Sequence, residues 1–147
     1  MPYIRSVALL ATGLLAGAMG YGAVNVVPAF RAVPLDVRLT FHTALMRMNG
    51  PVIQTVMALA FLGSVVLAAN LRGRDRWIAG AAAALVLVSF LVTRFGNVPI
   101  NADIKVWAAT APPPDHAAIL RRWEIFNVVR TVAAVAAFAL LLVPTRR

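Results

Sequence analysis

Long apolar stretches separated by short polar segments dominate the chain. Residues 6–30 and 48–71 contain no charged side chain, and residues 77–96 and 125–144 contain one each. About 20 helical residues cross the roughly 30 Å hydrocarbon core of a bilayer. The pattern therefore predicts four membrane-spanning helices.

Further helical features are predicted outside these stretches. Residues 34–49 alternate apolar and polar positions with helical spacing, which is typical of an amphipathic helix at the membrane interface. Gly50-Pro51 is expected to end that helix. The prolines at 112–114 exclude regular helix, and Asp115 after them is a candidate N-cap for a fourth helix of about 29 residues, or roughly 43 Å. Its first turns are expected to protrude from the hydrocarbon.

The prediction is an all-α integral membrane four-helix bundle forming one domain, 1–147. The spans are expected at about 6–30, 51–71, 77–96 and 118–144, with the interfacial helix at about 34–49 between spans one and two. Residues 97–114 are expected to form a loop. A cleaved signal peptide is the alternative for the first stretch, because Arg5 precedes it and small residues follow at 16–18.

Composition and charge agree with a membrane protein. Hydrophobic residues make up 61% of the chain, against roughly 45–50% in soluble domains. The net charge of +9 comes from arginines lying between apolar spans without a basic stripe, so we expect membrane lipids and no nucleic acid as partners. Cysteine is absent, which excludes disulfides, thiolate catalysis and cysteine metal ligands. The sequence also allows a homo-oligomer.

The loops give a prediction of orientation. In a four-span protein both termini lie on the same side as the link between spans two and three. That link, Arg72–Arg76, is dense in positive charge. The positive-inside tendency therefore predicts a multi-pass protein of the cell membrane with the termini and the Arg72–Arg76 segment in the cytoplasm.

Polar residues concentrate at the opposite membrane face. Antiparallel spans bring the following side chains to one level: Asn25, Arg31, Asn49, Arg94, Asn97, Asn127 and Arg130, and Asn101 in the loop after Asn97 is a possible partner of Arg130. On the fourth helix, Trp123, Asn127 and Arg130 share one face because they are four and three residues apart. Polar groups in an apolar bundle need partners, so this level is predicted to hold a pocket. One alternative is that the Arg130 side chain snorkels to the lipid headgroups. Another is that Trp107 and Trp123 belong to an aromatic belt at the membrane interface.

Metal and nucleophile signals are weak. His42 and Met46 lie one helical turn apart and are soft ligands, which leaves copper as an alternative cofactor. No recognised metal motif such as His-Glu-x-x-His is present, and His42 has no acid and serine partners identifiable from spacing. We therefore expect no bound metal.

The chain resembles the anthrone-oxygenase-like family of small membrane proteins, and the likeness covers nearly its whole length. The elements that carry it are Thr12-Gly13-Leu14-Leu15-Ala16-Gly17, Met48-Asn49-Gly50-Pro51, Asn97-Val98-Pro99-Ile100-Asn101 with Trp107, and Arg122-Trp123 through Asn127 to Arg130-Thr131. The resemblance implies a four-span bundle and oxidation of an anthrone to an anthraquinone by molecular oxygen without another cofactor. Val128 stands where family members commonly have a histidine, so no proton-transfer role is carried over to that position.

The resemblance also suggests roles for the polar cluster around a small, flat, apolar aromatic substrate, which includes anthrones, hydroquinones and phenols. Arg130, Asn97, Asn101 and Asn127 would stabilise an oxyanion, and His42 is the candidate base. Trp107 and Trp123 would line the aromatic ring, with Asn25, Asn49 and Arg94 as further substrate contacts. Two alternatives are a non-catalytic membrane subunit and a protein that binds a small apolar ligand.

Overall fold

A computed structural model of the protein describes residues 2–143. Its helices are α1 (Pro2–Tyr21), α2 (Val27–Ala32), α3 (Leu35–Asn70), α4 (Gly73–Val92), α5 (Val98–Ala109) and α6 (His116–Leu142). π-helical turns at Gly22–Val26 and Thr93–Asn97 join α1 to α2 and α4 to α5. The all-α prediction is confirmed for these residues, and residue 144, the predicted end of the fourth span, lies outside them.

Four continuous helical segments are long and apolar enough to cross a membrane. They are Tyr3–Ala32, Leu35–Asn70, Gly73–Ala109 and His116–Leu142. Large apolar side chains such as Leu10, Leu62 and Val132 are more than half exposed on the outer surface of the bundle. That surface suits lipid chains, and the four-span prediction is confirmed.

The helix end expected at Gly50-Pro51 is wrong. Residues 35–49 are helical as predicted, but α3 continues through Pro51 to Asn70 as a single 36-residue helix. A proline removes one backbone hydrogen bond and crowds the residue before it. Here the preceding residue is Gly50, which has no Cβ to clash with the proline ring, so the helical conformation is retained.

The loop expected at residues 97–114 is also largely wrong. The chain stays helical through a π-helical turn and α5 as far as Ala109, and only residues 110–115 lack regular helix. Pro99 lies in the first turn of α5, directly after the π-helical turn. The wider π-helical turn before it accommodates the proline ring without ending the helix.

The fourth helix begins where the sequence predicts. α6 has 27 residues, and Asp115 occupies its N-cap position. The carboxylate of Asp115 makes no capping hydrogen bond; its backbone oxygen accepts from the N–H groups of Ala118 at 3.0 Å and Ile119 at 3.3 Å. The helix start is therefore stabilised by the backbone, with the three prolines before it excluding an earlier start.

The two halves of the chain repeat one arrangement. In each half a span interrupted by a π-helical turn is followed by a long span. The end of each turn lies in a similar sequence, Asn25-Val26-Val27-Pro28 in one half and Asn97-Val98-Pro99 in the other. α1 packs against α3 and α6, and α4 packs against the same two helices. A two-residue link, Leu71 and Arg72, joins the halves. Gly73 after it has a φ of 57°, which suits a residue without a Cβ.

The bundle interior consists of two apolar clusters at different levels. The cluster near the termini includes Leu15, Met57, Ala79, Val86 and Ala134. The cluster near the opposite end includes Phe30, Leu39, Ile104 and Trp123. The first cluster is rich in alanine, which lets helices approach closely. The second contains large side chains from α2, α3, α5 and α6, and it borders a large cavity.

We expect Gly96→Ala to destabilise the fold. A Cβ at Gly96 would lie 2.8 Å from two carbon atoms of the Phe126 ring, so the α6 side chain would have to move. Overpacking of this kind typically costs about 1–3 kcal/mol. The check is the denaturant midpoint in detergent, with Gly80→Ala as the control, because a Cβ at Gly80 has nothing within 4 Å. Equal midpoints for the two variants would contradict this packing.

Candidate functional site

A cavity of about 400 Å³ lies at the level of the two π-helical turns. Small-molecule sites typically have about 300–1,000 Å³. Apolar side chains from α1, α2, α3, α5 and α6 form most of its wall, among them Met19, Phe30, Met46, Ile53 and Trp123. Its polar lining consists of Thr43, Arg47, Asn49, Gln54, Thr93, Asn101, Lys105, Asn127 and Arg130. The cavity is therefore apolar with polar groups at defined positions.

Arg130 is held in the wall by neutral groups. Its Nη2 and Nε donate to Asn127 Oδ1 at 2.7 and 3.1 Å, and its Nη1 donates to Thr93 Oγ1 at 3.4 Å. Ser89 Oγ donates to the backbone oxygen of Arg130 at 3.0 Å, which ties α4 to α6 beside the cavity. Asn127 is only 3% exposed. The guanidinium group thus lines the cavity in an orientation that Asn127 and Thr93 hold.

The charges that line the cavity are all positive. Arg47, Lys105 and Arg130 line it, and neither an aspartate nor a glutamate does. Among the described residues no carboxylate lies within salt-bridge distance of Arg130. A guanidinium group in an apolar wall without an opposite charge is costly. The lining therefore favours an anionic ligand, or one that becomes anionic.

Asn101, Trp123 and His42 form a second polar cluster, which connects the cavity wall to a buried histidine. Asn101 Oδ1 accepts from Trp123 Nε1 at 2.7 Å and lies 3.2 Å from His42 Nε2. The His42 ring stacks on Phe30, with centroids 4.8 Å apart, and meets the edge of Trp123 at 4.5 Å. His42 is fully buried and does not line the cavity, whereas Asn101 and Trp123 do.

Glu124 joins two arginines next to these rings. Arg38 Nη2 donates to Glu124 Oε1 at 3.1 Å, while Arg31 Nε donates to Oε2 at 3.1 Å and Arg31 Nη2 donates to the same oxygen. The Arg38 and Glu124 side chains are 10% and 9% exposed, and the Arg38 guanidinium lies 5.7 Å from the centre of the Phe30 ring. This ion-pair network fastens α2 and the start of α3 to α6 above the aromatic cluster.

The sequence analysis did not single out Glu124, Arg31 or Arg38 as a unit. One signal was available: Glu124 is the only acidic residue inside any of the four predicted spans. A carboxylate in a membrane helix needs a positive partner. Its partners lie 86 and 93 residues away in the sequence, so spacing alone could not identify them.

The structure brings about half of the predicted site residues to the cavity. Those that line it are Arg130, Asn127, Asn101, Trp123 and Asn49. His42 and Asn97 are fully buried outside the lining, and Asn97 Nδ2 donates to the backbone oxygen of Trp123 at 3.0 Å.

Three predicted substrate contacts are not at the cavity. Asn25 and Arg94 are exposed, and the Arg94 guanidinium lies 5.9 Å from the centre of the Phe95 ring. Trp107 packs against the apolar cluster without lining the cavity. None of the three lines the cavity, although other residues of the same helical segments do.

Possible metal ligands are not gathered at the cavity. Within residues 2–143 no group of three or more histidine, aspartate and glutamate side chains is placed to hold a metal ion. The two residues of the copper alternative are divided, since Met46 lines the cavity and His42 lies behind its wall with Nε2 directed at Asn101.

Comparison with known proteins identifies the family. No curated protein and no solved structure matches the chain. The model of the anthrone oxygenase family matches residues 37–140, which include nearly all of α3 and everything from α4 through most of α6. The match covers most of the chain, including Asn101, Trp123, Asn127 and Arg130 at the cavity. The chain therefore belongs to the anthrone oxygenase family.

Proposed function

We propose that this protein is a membrane-embedded oxygenase that acts on a small, flat, apolar aromatic substrate of the anthrone, hydroquinone or phenol class. The observation that carries the proposal is an apolar cavity containing the Arg130 guanidinium without a carboxylate beside it. Membership of the anthrone oxygenase family supports the reaction class. Molecular oxygen is the co-substrate in this proposal.

The guanidinium group of Arg130 is suited to stabilise a developing oxyanion. Removing the proton from the methylene carbon of an anthrone places negative charge on the ketone oxygen as an enolate. A positive donor that is already oriented in an apolar site stabilises such charge strongly, because it need not reorganise. Asn127 and Thr93 provide that orientation for Arg130.

The proposed reaction converts one anthrone and one O₂ into one anthraquinone and one water. The methylene carbon first loses a proton to water at the cavity mouth. The enolate transfers an electron pair to O₂ in forming the C–O bond, and the resulting peroxide anion takes up a proton. Loss of the second C–H proton together with the hydroxide of the O–O bond then gives the ketone and water. Carbon is oxidised and O₂ is reduced, with no further reductant.

The apolar wall has a separate role in the proposal. Trp123, Phe30 and the aliphatic side chains contact the faces and edges of a flat ring system and exclude water from it. Exclusion of water strengthens the attraction between Arg130 and the enolate oxygen. His42, the candidate base from the sequence, contacts no cavity space, so proton removal in this proposal does not involve direct contact with His42.

The test measures oxygen consumption by purified protein in mild detergent, with anthrone as the substrate. We expect one O₂ consumed per anthraquinone formed. Gly22→Leu should lower turnover by about tenfold or more, because Gly22 lines the cavity and a Cβ there has open space around it, so that the leucine side chain occupies substrate volume.

Gly20→Leu is the matched control for this test. Gly20 lies two residues earlier, also has nothing within 4 Å of an added Cβ, and does not line the cavity. Equal turnover of the two variants would reject the cavity as the site. Absence of oxygen consumption with every anthrone, hydroquinone and phenol tested would reject the oxygenase and leave ligand binding or a non-catalytic subunit.

Orientation is a further part of the proposal. Arg5 Nη2 donates to the backbone oxygens of Leu141 at 3.4 Å and Val143 at 3.0 Å, so the start of α1 and the end of α6 lie together. We place this end and the Arg72–Arg76 segment in the cytoplasm, on the basis of their positive charge. The cavity then lies toward the other membrane face, and contacts with lipid and with a second copy stay predictions.

A further inference from the structure

The orientation of the Asn101 side chain is fixed by a group that can only donate. Trp123 Nε1 lies 2.7 Å from the Asn101 side chain, and an indole N–H has no acceptor capacity. The Asn101 atom at this contact must therefore be the carbonyl oxygen. The amide nitrogen, Nδ2, is left for other partners.

His42 reinforces the same orientation. An amide oxygen only accepts, so the His42 Nε2 at 3.2 Å from it must carry the ring proton. The ring is held between Phe30 and Trp123, and the remaining nitrogen, Nδ1, is buried without a hydrogen-bond partner. His42 thus donates to Asn101 and has no contact with the cavity.

The amide nitrogen of Asn101, Nδ2, takes part in neither of these hydrogen bonds. Asn101 lines the cavity, and its Nδ2 makes no hydrogen bond within the described chain. Asn127 Nδ2 and Asn97 Oδ1 are buried without a hydrogen-bond partner. Asn101 Nδ2 also lacks a partner, but it is not buried and is therefore accessible. The cavity wall between α5 and α6 therefore presents two kinds of donor, the Asn101 NH₂ and the Arg130 guanidinium.

We infer that Trp123 and His42 are positioning residues that turn the Asn101 NH₂ into the cavity, and that Asn101 selects substrates by an acceptor oxygen, a ketone or its enolate. A ketone oxygen accepts from such a wall and leaves nothing unpaired. A hydroxyl group that accepts there must still find an acceptor for its own proton, and an unmet donor in an apolar site is unfavourable. This inference rests on the proposed function in one respect, that the substrate binds in this cavity. It narrows the proposed substrate class to ketones and enolates.

The experiment compares the binding of anthraquinone and anthracene by equilibrium dialysis in detergent. The two probes share a ring system and differ by two acceptor oxygens. We expect the protein to bind anthraquinone about tenfold more tightly, in line with one or two net hydrogen bonds. Trp123→Phe, which keeps an aromatic ring but removes the N–H, should reduce this preference to about threefold or less, the part that Arg130 still supplies. The affinity for anthracene, which has no acceptor oxygen, measures any loss of ring contact in the same variant.

Two further variants keep the result interpretable. Asn101→Asp retains the size of the side chain and an oxygen facing Trp123 and His42, but it replaces the NH₂ with an acceptor, so it should also reduce the preference. Trp77→Phe is the control, because Trp77 is 77% exposed and far from the cavity lining, and it should keep the tenfold preference. Thermal unfolding of each variant verifies that it is folded.

The outcomes separate the two proposals. A Trp123→Phe variant that weakens both probes equally, or neither, would overturn the positioning role, as would an unchanged preference in Asn101→Asp. A reduced preference in both variants supports it even if anthrone consumes no oxygen. Oxygen consumption with an unchanged preference would instead support the oxygenase and reject the role of Asn101.

Discussion

Arg130→Ala is expected to lower kcat for anthrone oxidation by about 10²–10³-fold, the loss typical of removing one preorganised oxyanion donor. The substitution removes the positive group that lines the cavity next to Asn127 and Thr93. The enolate would then form against an uncharged apolar wall, where its energy is much higher. The measurement is steady-state oxygen uptake at saturating anthrone.

Two variants make the Arg130 result specific. Arg130→Lys retains the charge but loses the two parallel donors to Asn127, so an intermediate loss is expected. Arg121→Ala removes an exposed arginine from the same helix without touching the cavity, and its turnover should match the unmodified protein. If Arg130→Ala retained kcat within about twofold, the guanidinium group would have no role in the chemistry.

Glu124→Gln is expected to destabilise the protein by about 3–5 kcal/mol, because it leaves the buried Arg38 charge without its partner. Arg31 is largely exposed and regains water when the pair is broken, so most of the effect comes from Arg38. The measurement is the free energy of unfolding in detergent. Asp103→Asn is the matched control, since Asp103 is exposed on α5.

A double variant tests the physical reason for the Glu124 effect. Replacing both partners, Glu124→Leu with Arg38→Met, removes the buried charges together, and apolar replacements of a buried ion pair are often neutral or stabilising. We therefore expect the double variant to be much more stable than Glu124→Gln. Equal destabilisation of the single and double variants would mean that the network acts by its shape and not by charge.

The sequence was sufficient for the four spans. Hydrophobic length determines where a helix crosses a bilayer, and antiparallel spans brought Asn49, Asn127 and Arg130, which line the cavity, to the same end of the bundle. The sequence did not show in which direction each side chain points around its helix. Each residue advances a helix by about 100°, and π-helical turns change this count just where Asn25 and Arg94 lie.

Two other failures have separate physical causes, one local and one long-range. Helices were expected to end at Gly50-Pro51 and before a loop at residues 97–114, but Gly50 and a π-helical turn relieve the crowding that proline causes in most helices. The Glu124 network escaped notice because ion pairs between distant segments follow no spacing rule. Local sequence predicts where a helix exists, while long-range packing decides which of its sides is functional.

Both halves of the repeated architecture contribute to the wall of the cavity. The first half, ending at Asn70, contributes Met19, Phe30 and Met46, whereas the second, beginning at Gly73, contributes Arg130 and Asn101. Each half is a helical hairpin that satisfies its own backbone hydrogen bonds in lipid. A lone half would thus insert as a hairpin yet lack half of the cavity wall, so the cavity forms only when the hairpins associate.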